Sequence, residues 1–158
     1  MRISMWISGN TVQGDIMLQS KELLNSILKT AQMGRFGIET VMEKAISPGL
    51  KKELKSQKDQ YDAIENSAHR LARTRGWELQ GLSPALRYMS SIMGRASVMG
   101  GETDSKIAGM LINGNAKGLI KGMKYLNRSG GCDAEVVKLA QDLVEKEQLN
   151  IQKSQPVL

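Results

Sequence analysis

Apolar and small residues recur along most of the chain at alternating steps of three and four, the spacing that aligns side chains on one face of an α-helix. Leu24, Ile27, Ala31, Gly34, Ile38, Val41 and Ala45 form the first such stripe and predict a long helix over Met17–Ala45, ended by Ser47-Pro48-Gly49. Pro48 also suits the first turn of a second helix, because the N–H it lacks would have no helical partner there. That helix carries Leu50, Leu54, Gln57, Tyr61, Ile64, Ala68 and Leu71 to about Arg75, with Gly76 as its C-terminal cap. Ser83-Pro84 opens a shorter helix over Ala85–Val98, closed by Gly100-Gly101. Thr103 or Asp104 caps a third long helix bearing Ile107, Leu111, Gly114, Gly118, Met123 and Leu126, which Ser129-Gly130-Gly131 stops. Asp133 caps a fourth, with Val136, Ala140, Leu143, Glu147 and Asn150 or Ile151, running to about Lys153 before Pro156.

The order long, long, short, long, long predicts an all-α protein. Two antiparallel helical hairpins pack as a four-helix bundle, with the short extra helix lying in the crossover between them. Residues 17–153 form this bundle. Residues 1–16 are an N-terminal extension, either loosely ordered or engaged in association, and residues 154–158 are a tail. The two halves also look alike: Gly34 and Gly37 hold the place in the first helix that Gly114 and Gly118 hold in the third. Superposing the heptads puts Tyr61 opposite Glu147 and Ile64 opposite Asn150.

Composition narrows the chemistry. A length of 158 residues suits one domain, and 41% hydrophobic with 24% charged residues suits a folded chain, while 4% aromatics and 3 prolines disfavour a β-sandwich. The single Cys132 excludes an internal disulfide framework and a multi-cysteine metal site, and the single His69 excludes a His-rich metal centre. The net charge of +6 comes from basic residues interleaved with acids, as in Lys51-Lys52-Glu53. The densest run, Arg70, Arg73 and Arg75, has only Trp77 as a neighbouring stacking ring, so nucleic acid is not an expected partner. The opening burst Ile3, Met5, Trp6 and Ile7 is too short for a signal peptide, and no stretch approaches the length of a membrane span; a cytoplasmic protein is expected.

The stretch Leu23-Leu24-Asn25-Ser26-Ile27-Leu28 through Gly34-Arg35-Phe36-Gly37, followed by Glu43-Lys44-Ala45 and Pro48-Gly49-Leu50-Lys51, resembles the opening hairpin of small bacterial ferritin-like proteins. Many of these are uncharacterised and some are associated with stress. The resemblance covers residues 17–153 and implies a ferritin-like bundle. Active members hold two metal ions in the interior with one Glu from each of two helices and a Glu-x-x-His from each of the other two.

This chain departs from that ligand set. It has no Glu-x-x-His, and the residue three before His69 is Asn66. The second helix offers Gln57 and Gln60, or Tyr61 and Ile64, at the three-residue spacing; Glu39 lies off the first helix's stripe; and Asn113–Met123 contains no acid. Glu147, with Asn150 three residues on, is the one carboxylate placed to project inward. No metal or other cofactor is therefore expected, Glu147, Glu39, Gln57 and Gln60 being the weak candidates if iron or manganese binds after all. His69, beside the Ala68 and Leu71 stripe, is expected at the core boundary. Cys132 sits where a helix dipole would stabilise a thiolate, without a second cysteine to resolve an oxidised one.

The costliest local feature is the ladder Gly114, Gly118 and Gly122, since each helical glycine sacrifices roughly 0.5–1 kcal/mol relative to alanine. Close helix approach, against the face of Gly34 and Gly37, is the expected return. The alternative is a groove for an apolar or flat ligand, framed by some of the 10 methionines. Together these readings predict a non-catalytic protein with an interaction or structural role. Self-association as a homo-oligomer, a dimer, is expected from the apolar surplus in Met1–Ile7 and around Tyr88, Met89, Ile92 and Met93, and a separate protein partner is the other candidate. A metal-dependent oxidase or storage protein with an unconventional site, or a small-ligand carrier, are the alternatives.

Overall fold

The computed structural model describes residues 2–158, the side chains of residues 2–11 and of Ser90, Ile92, Met93 and Ser97 excepted. Among the described residues the protein is wholly helical. Its five α-helices are α1 (Arg2–Val41), α2 (Pro48–Arg75), α3 (Pro84–Ser97), α4 (Thr103–Asn127) and α5 (Ala134–Ser154), with 3-10 turns at Met42–Lys44 and Gln155–Val157. None is long and apolar enough to cross a membrane, among the described residues.

Most helix ends follow the local chemistry. The Ser47 and Ser83 hydroxyls accept from Leu50 N–H and Leu86 N–H, each just before a first-turn proline, and Asp133 accepts from Glu135 N–H and Val136 N–H. Gly76 closes α2 at φ +67°, where a side chain would be strained. Two ends differ from the sequence reading. Helix α1 runs from Arg2 to Val41 rather than from Met17 to Ala45. The association role assigned to Met1–Ile7, Ile92 and Met93 concerns side chains outside the described residues. At α4, neither Thr103 nor Asp104 is the cap: Glu102 occupies that position at φ +56° without a side-chain bond. The Asp104 carboxylate instead accepts from Ile46 N–H and Ser47 N–H, both at 2.8 Å, pinning the α1–α2 turn to the start of α4. Those two bonds hold its carboxyl below the usual range.

Side-chain pairings give the directions. Arg35 joins Glu65 and Asp62 across the α1–α2 hairpin, and Lys58 meets Glu39 one turn on, so these helices are antiparallel. Gly118 faces Glu147 and Gly122 faces Val144, making α4 and α5 antiparallel as well. Tyr61 meets Glu147 while Gln57 meets Ser154, so α2 opposes α5. Helix α2 therefore ends where α5 begins, tied there by Arg75 to Asp133 and Glu135, and the chain must return the length of the bundle to start α4. That return contains α3, which runs along α1: Leu82 N–H donates to Gln32, Arg87 lies 5.6 Å from the Phe36 ring centroid, and Gly94 packs on Thr40.

The two hairpins repeat one burial pattern. Buried Leu50, Leu54, Gln57, Tyr61, Ile64 and Ala68 of α2 match buried Val136, Ala140, Leu143, Glu147, Asn150 and Ser154 of α5 position for position. On the partner helices Leu24, Ile27, Ala31 and Ile38 match Ala108, Leu111, Asn115 and Gly122. In this register Gly34 corresponds to Gly118, not to Gly114 as the sequence comparison had it. The backbone is thus near-symmetric and the filling is not, because apolar Leu143, Ala31, Ala68 and Ile64 answer polar Gln57, Asn115, Ser154 and Asn150.

Candidate functional site

Midway along the bundle, α2, α4 and α5 send polar side chains into an interior made mostly of Leu, Ile, Val and Ala. Tyr61, Asn115, Glu147, Gln57 and Ser154 are all buried, Glu147 to 1% exposure. The phenol oxygen of Tyr61 lies 2.8 Å from Asn115 Oδ1 and 2.8 Å from Glu147 Oε2. Asn115 Nδ2 donates to Gln57 Oε1 at 3.2 Å, and Gln57 Nε2 donates to Ser154 Oγ at 3.2 Å and to Glu53 Oε1 at 2.9 Å.

Counting protons along these bonds points to a protonated Glu147. Tyr61 has one O–H and two acceptors at bonding distance. An ionised Glu147 would draw that proton and leave Asn115 Oδ1 without a donor; a protonated Glu147 donates to Tyr61, which then donates to Asn115, so every contact becomes a bond. The bonds then run one way, Glu147 to Tyr61 to Asn115 to Gln57, and end on the half-buried Glu53. Burial acts in the same sense, pushing the Glu147 carboxyl up to about 8 against the opposing pull of the Tyr61 hydroxyl. Burial, with the neighbouring Glu147, also holds Tyr61 well above the usual phenol range. At neutral pH Glu147 is therefore chiefly a neutral acid.

Two glycines make the space. A Cβ at Gly118 would strike the Glu147 carboxyl, and one at Gly34 would fall against the Tyr61 ring. A Cβ at Gly122 would come 2.6 Å from Val144 Cγ2. Gly37 and Gly114 face nothing within 4 Å. Gly34 and Gly118 thus admit side chains from the hairpin partner, while at Gly122 the α5 backbone also comes near, Val144 Cα lying 4.0 Å from where a Cβ would stand.

The other candidate residues scatter. Glu39 is on the surface, paired with Arg35 at 3.0 Å and Lys58 at 3.7 Å. Gln60 lies outside the network, and its buried Oε1 has no hydrogen-bond partner. Asn150 is 1% exposed with neither Oδ1 nor Nδ2 bonded, a cost of about 1–3 kcal/mol per group. His69 is exposed, and Cys132 is half-buried against the core. Asn115, Ser154 and Glu53 were not singled out beforehand, although Asn115 falls on the stripe between Leu111 and Gly118, where a polar group needs a buried partner.

These residues do not fit a pair of metal ions. Glu147 is the lone carboxylate at the centre, and the polar groups of Tyr61, Asn115 and Gln57 are engaged in hydrogen bonds. Among the described residues no three His, Cys, Asp or Glu side chains come together as a metal-holding group. No family model matches the chain, and no curated protein and no solved structure matches it.

Proposed function

We propose that the chain is a non-catalytic bundle of the ferritin-like kind, acting through association with itself or another protein. The ferritin-like reading is supported by two antiparallel hairpins joined by one connection that returns the full length of the bundle. The non-catalytic reading rests on the hydrogen-bond chain from Glu147 to Glu53, which engages Tyr61, Asn115 and Gln57 in bonds to each other. Tyr61 sits at its centre with a proton held tightly, so neither a nucleophile nor a free base is on offer there.

Elemental analysis of the purified protein, followed by incubation with ferrous iron in air, tests this directly. The expected result is no stoichiometric metal and no accelerated iron oxidation. Two tightly held ions per chain would overturn the reading in favour of an oxidase or storage protein. Sedimentation at micromolar concentration, alone and with candidate partners, tests the association half.

A further inference from the structure

The near-symmetry of the two hairpins leaves one face unmatched. On α1, Asn25, Gln32, Phe36 and Thr40 are covered by the connection and by α3: Gln80 N–H and Gly81 N–H donate to Asn25, Leu82 N–H to Gln32, Arg87 stacks over Phe36, and Gly94 sits on Thr40. The equivalent positions on α4 are Gly109, Ala116, Ile120 and Lys124. Leu158 reaches Gly109, its side chain 3.8 Å from where a Cβ would stand, but among the described residues no helix lies over the rest. Ile120 is 55% exposed and Met123 51% exposed, alongside half-buried Ala116 and Leu119.

On α4 itself the charge beside this row has one sign. Lys117, Lys121 and Lys124 follow Ala116, Ile120 and Met123 by one residue each, so they form a second row along one edge of the first. All three are exposed, none is in an ion pair among the described residues, and α4 has no acid after Asp104. A second copy of this face packed antiparallel would bring the lysine rows to the same side, and one packed parallel would leave each row without an acid of α4 to meet. A nucleic acid would answer the lysines and leave the apolar row unused.

Resting on the association reading above, we propose that the Ala116–Lys124 face of α4 docks an acidic amphipathic helix of a partner protein, in the place that α3 takes on α1. Apolar residues of that helix at three- and four-residue spacing would cover Ile120 and Met123, and its carboxylates would meet Lys117, Lys121 and Lys124.

The probe is a labelled peptide of residues 83–97 of this chain carrying Arg87→Glu and Arg95→Glu, with the unaltered peptide as control, titrated against the full chain by fluorescence anisotropy. The acidic peptide is expected to bind saturably and at least about tenfold more tightly than the basic one, a difference that shrinks as salt screens it. Ile120→Glu and Lys121→Glu, both at exposed positions, should each weaken it about tenfold with the helical circular dichroism signal unchanged. No saturable binding, or equal binding to both variants and the parent, would overturn the proposal. So would co-sedimentation of the parent, but not of Ile120→Glu, with phosphatidylserine vesicles, which would assign the face to a membrane. A parent dimer that Ile120→Glu dissociates would also overturn it while leaving association standing; stoichiometric iron uptake would instead remove the association reading itself.

Discussion

Replacing Glu147 by glutamine isolates the consequence of a buried neutral acid. The carboxyl moves from 4.5 in its ordinary state to about 8 in the bundle, so between those values the folded chain holds a proton that the unfolded chain has released. The folded state then binds more protons than the unfolded one, and stability falls as pH rises through this window, by at most about 1.4 kcal/mol per pH unit. Integrated from pH 5 to pH 8, the loss attributable to this group is about 3 kcal/mol. In Glu147→Gln the amide Nε2 donates to Tyr61 as the acid O–H does and never ionises, at the cost of one extra N–H without an assigned acceptor. The variant should therefore match or fall about 1 kcal/mol below the parent at pH 5 and exceed it at pH 8. Urea denaturation of both proteins at each pH unit from 5 to 8 reads the difference, and other titrating groups cancel in the comparison. A difference that stays constant across this range, or that moves against the variant as pH rises, would show that Glu147 is ionised in the fold and that the hydrogen-bond chain does not run as described.

The glycines should separate by what they face. Gly118→Ala and Gly34→Ala are each expected to destabilise by about 1–3 kcal/mol in thermal or urea unfolding, because overpacking against Glu147 and Tyr61 outweighs the helix-propensity gain. Gly114→Ala and Gly37→Ala, which meet open space, should stabilise by roughly 0.5–1 kcal/mol in the same assay. Tyr61→Phe strands the Glu147 donor and the Asn115 acceptor together and should lose about 2–4 kcal/mol; a double-mutant cycle with Glu147→Gln should show non-additivity. Asp104→Ala removes the acceptor of Ile46 N–H and Ser47 N–H and should lose about 1 kcal/mol near neutral pH. Because the Asp104 carboxyl titrates lower when folded, that difference should vanish as the solution is acidified through its pKa.

Helix boundaries were legible before any tertiary contact was known, because capping and termination are settled within a few residues. Ser47-Pro48, Ser83-Pro84, Asp133 and Gly76 act where the sequence placed them, and the three-and-four stripes named the buried faces of α1, α2 and α5, whereas on α4 Gly114 and Met123 are exposed and Ala108, Asn115 and Gly122 are buried instead. The bounds of α1, which runs Arg2–Val41, and the cap of α4 were the exceptions; at α4, Asp104 serves the α1–α2 turn, a contact far away in the chain. Periodicity states the rotational phase of each helix and says nothing about how far one helix slides along another. That axial offset decides that Gly34 pairs in role with Gly118, and that Tyr61 stands between Asn115 and Glu147 from two other helices. It also explains why Glu147, read along its own helix as a possible metal ligand, becomes a protonated donor: its ionisation depends on burial and on a phenol 2.8 Å away, both set by packing. Local chemistry along the chain determined most helix ends and the direction of most apolar faces; the tertiary arrangement alone decided which polar groups met, and with them the environment of the buried Glu147.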